Sequence, residues 1–186
     1  VEKLLQKMAE KGVEVIFILS AFDSVPYRTL IGTDSYQCGR STGEAVREAL
    51  GADGAVGIIK WKDNLIETVE DRYHGVVDVL KENRIPYYDM TGPGEPTAEE
   101  ATKLTDRLTE HPDISVLCAT NVGWGLAFAR YLKSKGKKVK LVTVDFTDEV
   151  GEFMKAGYVD AAIAQRPESW GSMTLEKIEA VFEGQS

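Results

Sequence analysis

The sequence predicts an α/β protein with a mostly parallel sheet covered by helices on both faces. Two observations carry this. Segments with strand character alternate with segments of helical periodicity almost without exception along the 186 residues. The strand segments are largely apolar runs, as strands buried on both faces require. The chain shows no linker, low-complexity segment or short-period repeat.

Taken in order, Val1, Leu4, Leu5 and Met8 mark one face of a helix that Gly12 can terminate. Val13–Leu19 reads as a strand and Thr29–Gly32 as a short second one. A helix follows over about Tyr36–Leu50, then the strand Ala55–Lys60 (AVGIIK). Val69, Tyr73, Val76, Val77 and Leu80 stripe a helix over about Glu67–Glu82. The strand Ile85–Met90 leads to a helix that Thr97 opens, with Glu100 three residues on as a capping box. Ile114–Ala119 is the next strand, followed by a helix over about Gly123–Ser134 and the strand Val139–Val144. A helix over about Glu149–Ala156, the strand Val159–Ala164 and a last helix with Leu175, Ile178 and Val181 inward complete the pattern.

Length suggests one domain or two small ones with a sizeable core. A composition of 43% hydrophobic and 28% charged residues is that of an ordinary globular protein. The net charge of −8 argues against a nucleic-acid groove, which needs a basic face. No apolar run approaches the roughly 20 residues of a membrane span. Cys38 and Cys118 form no CxxC and have no histidine pair beside them, so they read as unpaired buried thiols. No signal peptide is visible, and because the chain opens inside an amphipathic helix, further residues are expected upstream of Val1.

Catalysis finds little support. His74 and His111 fit no triad or metal spacing, and His111-Pro112-Asp113 looks like a turn. The stretch TGPGEPT (Thr91–Thr97) follows a strand and opens a helix, but it lacks both the G-x-G-x-x-G spacing and a P-loop lysine. It reads as a helix-entry loop. No catalytic residue, metal or cofactor is expected.

In open α/β sheets ligands bind beyond the carboxyl ends of the strands. Those ends carry a consistent set here: a polar loop and then Arg72 after Ala55–Lys60, Asn121 after Ile114–Ala119, Asp145 after Val139–Val144, and Gln165 after Val159–Ala164. Amides donate and accept, a carboxylate accepts from two hydroxyls, and a guanidinium donates as a rigid fork. One cation and one anion leave the site near neutral, so the set suits an uncharged polyhydroxylated ligand. Trp124 and Phe146 are candidate rings for stacking on its C–H faces, or else core aromatics. Each polar residue also has a plainer reading. Arg72 can pair with a carboxylate on its own helix, Asn121 and Asp145 can cap the helices they precede, and Gln165 can be a loop residue.

The pieces IGTDSYQCGRSTGEAV (Ile31–Val46), EDRYHGVVDVLKE (Glu70–Glu82), HPDISVLCATNVGWGLA (His111–Ala127) and VDFTDEVGEFMKAGYVDAAIAQRP (Val144–Pro167) resemble, in order and spacing, the type I periplasmic binding proteins. That fold is shared by ribose- and galactose-binding proteins and lactose-repressor-like regulators. The resemblance implies a partial first lobe at residues 1–33 and 166–186, lacking its N-terminal part, and a complete second lobe at 34–165. It matches Arg72 to the family's sugar-contacting arginine and Asn121 to the asparagine of its N-D-x-x-A-x-G motif. Asp145 matches the aspartate of its G-F-D motif, and Gln165 matches the amide at the last hinge crossing. Three places depart from the pattern. Leu19-Ser20 stands where sugar binders often carry an aspartate, Val122-Gly123 replaces an acidic residue, and Thr143-Val144 replaces Gly-Phe.

The function so implied is capture of a monosaccharide-like ligand in an interlobe cleft by hinge closure. The chain would be an extracytoplasmic solute-binding protein of a sugar transporter, or a sensor domain, with a membrane permease or a sensor kinase as partner. The alternative is the effector domain of a lactose-repressor-like regulator, which would be cytoplasmic. Such regulators usually carry P-x-L-T-T where this chain reads A-I-A-Q-R-P-E-S-W-G, and no helix-turn-helix is visible.

Overall fold

The computed structural model describes residues 1–60, 67–90, 96–106, 108, 110–136 and 139–184. Both the polar loop after Lys60 and residues 91–95 of the TGPGEPT stretch lie outside them. The elements in chain order are α1 (Glu2–Glu10), β1 (Ile16–Ile18), β2 (Thr29–Ile31), α2 (Ser35–Leu50), β3 (Ala55–Ile59), α3 (Glu67–Glu82) and β4 (Tyr87–Asp89). They continue with α4 (Ala98–Asp106), β5 (Ile114–Ala119), α5 (Val122–Lys135), β6 (Lys140–Val144), α6 (Asp148–Lys155), β7 (Ala161–Ile163) and α7 (Glu168–Phe182). Two compact units result, one formed by Val1–Asp34 with Gln165–Ser186 and the other by Ser35–Ala164.

The second unit is a five-stranded sheet in the order β4-β3-β5-β6-β7, every pairing parallel. Because successive strand side chains alternate faces, each face acquires its own core. On one face Ile59, Leu117, Ala119 and Leu141 pack with Ala101 and Leu104 of α4, Trp124, Phe128 and Leu132 of α5, and Phe153 of α6. On the other, Val56, Ile58, Val116, Cys118 and Val142 pack with Val46 of α2 and Val76, Val77 and Leu80 of α3. The expected stripe of α3 is thus its buried face, with Tyr73 at the margin.

Two helix ends follow the sequence closely. Gly12, at φ 80°, ends α1, with the Val13 N–H donating to the Met8 carbonyl at 3.0 Å. At α4 the Thr97 hydroxyl oxygen accepts from the Glu100 N–H at 3.2 Å, while the Glu100 carboxylate takes Lys103 at 2.8 Å instead of closing the capping box.

Helices α2 and α3 lie side by side and run parallel. The Tyr36 hydroxyl donates to Asp78 at 2.9 Å, and one turn on along both helices Arg40 pairs with Glu82 at 2.8 Å. Two glycines permit the approach. A Cβ on Gly39 would lie 2.1 Å from the Arg72 carbonyl oxygen, and one on Gly75 would lie 2.3 Å from that of Tyr36.

The first unit holds the parallel pair β1–β2, with α7 packed against both strands, and an aromatic group in which Phe17 meets Tyr27 at 5.4 Å and Phe22 at 6.0 Å. Here the sequence expectation is corrected. Leu175 and Ile178 of α7, expected inward, are exposed, and neither α1 nor α7 has a buried residue. Two strands of three residues are too small to cover a 15-residue helix. Strands β1, β4 and β7 are likewise shorter than the apolar runs that contain them, because a ladder extends only as far as its partner. Val159, outside β7, is still buried in the core.

Candidate functional site

In the larger unit the strand exits form one edge. Ile59 lies opposite Ala119, Ala119 opposite Thr143, and Val144 opposite Ile163, so β3, β5, β6 and β7 end in register. Along the chain β3 is followed by β4 on one side and then by β5 on the other, so the order reverses between β3 and β5. A crevice opens at such a reversal, at the carboxyl edge.

Arg72 and Asn121 stand at this reversal. Arg72 projects from the second turn of α3 and is buried, and its Nη1 donates to the Thr120 carbonyl at 3.4 Å. Thr120 itself continues the β3–β5 ladder, its N–H donating to the Ile59 carbonyl at 3.1 Å. No carboxylate pairs with Arg72 on its own helix among the described residues, and its Nε is buried without a hydrogen-bond partner. A buried donor left in that condition carries a desolvation cost, which a ligand oxygen would relieve.

Asn121 serves the plainer role and leaves room for the other. It is the N-cap of α5, and its Oδ1 accepts from the Trp124 N–H at 3.0 Å. The backbone is pinned as well, since the Thr143 hydroxyl donates to the Asn121 carbonyl at 3.3 Å. With Oδ1 committed to the cap, the amide nitrogen is turned the other way. Nδ2 is buried and unpartnered among the described residues. Capping therefore orients a donor rather than consuming the side chain.

Asp145 extends the β6–β7 ladder by donating its N–H to the Ile163 carbonyl at 2.9 Å, then turns into the left-handed region at φ 70°. Asp and Asn tolerate this conformation better than other non-glycine residues. The cap of α6 is Thr147, whose hydroxyl accepts from Val150 N–H at 3.2 Å, so Asp145 is not used as a cap. Gln165, half-buried, begins the C-terminal segment of the first unit.

The two candidate rings differ. Trp124 has no exposed surface and packs in the core with its ring 6.2 Å from Phe128, so the stacking expectation is corrected for Trp124: helix α5 turns it inward. Phe146 is 55% exposed and lies over α6, where a Cβ on Gly151 would come within 3.1 Å of the ring.

One charged residue at this edge was not singled out in the sequence. Lys60 leaves the end of β3, pairs with Glu70 at 3.0 Å, and lies 4.2 Å over the Tyr73 ring. The Tyr73 hydroxyl donates to Asp89 at 3.2 Å, and burial together with that carboxylate pushes its pKa upward. The available signal was a cation closing an otherwise apolar strand run. Of the histidines, His74 lies 3.6 Å from Glu70 and His111 stacks on Tyr88 at 3.9 Å.

A family model described as a periplasmic binding protein domain matches residues 1–186. The ribose import binding protein RbsB of Bacillus subtilis is 21% identical over 93% of the chain and 56% of its own length. Its counterpart from Haemophilus influenzae is 25% identical over 83% of the chain and 53% of its own length. The chain thus spans a little over half the length of these curated relatives. A solved solute-binding protein of an ABC transporter from Agrobacterium vitis, bound with α-D-tagatopyranose, superposes with a TM-score of 0.86. It is 23% identical and covers all of the chain and 66% of itself.

Proposed function

Because this chain belongs to the periplasmic binding protein domain family, we propose that it supplies most of a binding site for a neutral monosaccharide and no catalytic group. The observation that carries the reading is the meeting of Arg72 and Asn121 at the strand-order reversal. Each presents a buried donor that is unpartnered among the described residues, and Asp145 adds acceptors at the exit of β6, the strand beside β5. Donors and acceptors held by backbone ladders and a helix cap are pre-organised, which lowers the ordering cost of binding. Arg72 and Asp145 would bracket the sugar hydroxyls, Asn121 would donate to one more, and Gln165 would add an amide. Phe146 would lie against a C–H face.

Residues 1–33 and 166–186 would be the partial first lobe and residues 34–165 the second lobe, a division supported by the two compact units Val1–Asp34 with Gln165–Ser186 and Ser35–Ala164. The import function of the ribose-binding relatives supports an extracytoplasmic solute-binding role with a membrane permease as partner.

The test is calorimetric titration of the full-length protein with D-ribose, beside Arg72→Ala and Asp145→Ala. Loss of a charged hydrogen-bond partner should weaken binding by about 1.5–3 kcal/mol. Parent-like affinity in either variant, in a folded protein, would remove that residue from the site.

A further inference from the structure

We propose that Ser35 is a specificity-determining ligand contact, its hydroxyl bonding one particular hydroxyl of the bound sugar. The inference rests on the sugar-binding reading above and adds a residue to that site. Ser35 is 6% exposed, and its Oγ is buried with no hydrogen-bond partner among the described residues. A serine hydroxyl can rotate to meet almost any nearby donor or acceptor, so a buried one left without either is uncommon.

Its position says what would satisfy it. Ser35 is the first residue of α2 and lies on the buried stripe of that helix, one turn before Gly39. Gly39 is the point at which α2 touches the Arg72 backbone. The two helices run parallel, with Tyr36 on Asp78 and Arg40 on Glu82, and the end of α2 lies at the amino edge of the sheet, where Lys140 at the start of β6 donates to the Ala49 carbonyl, so α2 begins at the opposite edge. Helix α3 begins after the exit of β3, which puts this end of the pair at the carboxyl edge of the sheet. Ser35, Arg72 and Asn121 therefore share that edge, and each combines burial above nine-tenths with an unpartnered polar atom. Three such groups together describe a surface complementary to a hydroxylated ligand.

The experiment is titration of the full-length parent and Ser35→Ala with D-ribose and with its 1-, 2-, 3- and 5-deoxy analogues, alongside thermal unfolding without sugar. Removing an unsatisfied buried hydroxyl should leave Tm unchanged or raise it, whereas a structural hydroxyl would lower it. Binding of ribose should weaken between about three- and tenfold. That loss should vanish for the one analogue that lacks the contacted hydroxyl. Equal ribose affinity in parent and Ser35→Ala, or a loss that is the same for every analogue, would overturn the assignment while leaving the sugar site standing. A parent that binds none of the sugars would overturn both.

Discussion

Asn121 carries two functions in one side chain, and two substitutions separate them. In Asn121→Ala both the cap on Trp124 N–H and the amide donor disappear. In Asn121→Ser a hydroxyl oxygen can still accept from that N–H, since Ser and Asn cap about equally, but the amide nitrogen is gone. The lost cap should cost the alanine variant about 1 kcal/mol relative to the serine variant. With a typical urea slope that is a midpoint shift of about 0.5 M, well resolved by circular dichroism. Binding should respond differently. Both variants lose the Nδ2 donor, so both should bind D-ribose about two- to tenfold more weakly than the parent, whatever their stability. Equal stability of the two variants would refute the capping account. Ribose affinity in Asn121→Ser equal to the parent's would refute the claim that the cap turns the amide toward a ligand.

Gly39→Ala should destabilise by about 1–3 kcal/mol, because its Cβ would meet backbone rather than a yielding side chain; the same displacement of Arg72 should weaken ribose binding. Differential scanning calorimetry and titration check both, and an unchanged Tm would contradict the tight α2–α3 contact. The Cys118 thiol is fully buried, and desolvation pushes its pKa up to about 12, so iodoacetamide at pH 8 should alkylate it only after denaturation. Mass spectrometry of native and unfolded samples decides, and native labelling at the rate of a free thiol would refute the packing. Trp124→Ala should cost about 3–5 kcal/mol as a core deletion. Phe146→Ala should change stability by less than about 0.5 kcal/mol while still weakening ribose binding. If Phe146→Ala binds ribose like the parent, stacking by Phe146 is refuted.

Local pattern alone determined the layered α/β architecture, the stop at Gly12, the Thr97 cap and the inward stripe of α3. These features depend on neighbours within one or two turns, and period-2 and period-3.6 spacing is written directly in the chain. Asn121 and Asp145 were legible for a related reason, since polar residues that close apolar runs mark strand exits and a parallel sheet gathers its exits at one edge, and Arg72 was legible as a cation early in the helix that follows such an exit. Tertiary structure decided the rest. Trp124 and Phe146 look alike in sequence, yet the rotation of α5 buries one and leaves the other on the surface. Leu175 and Ile178 have a core-facing spacing, but the burial of that face depends on how much sheet lies beneath it. The fate of a polar atom is the least local property of all. The unpartnered Nε of Arg72 and Oγ of Ser35 depend on how α2, α3 and β5 meet across stretches distant in the chain, and no spacing rule within a segment encodes that meeting.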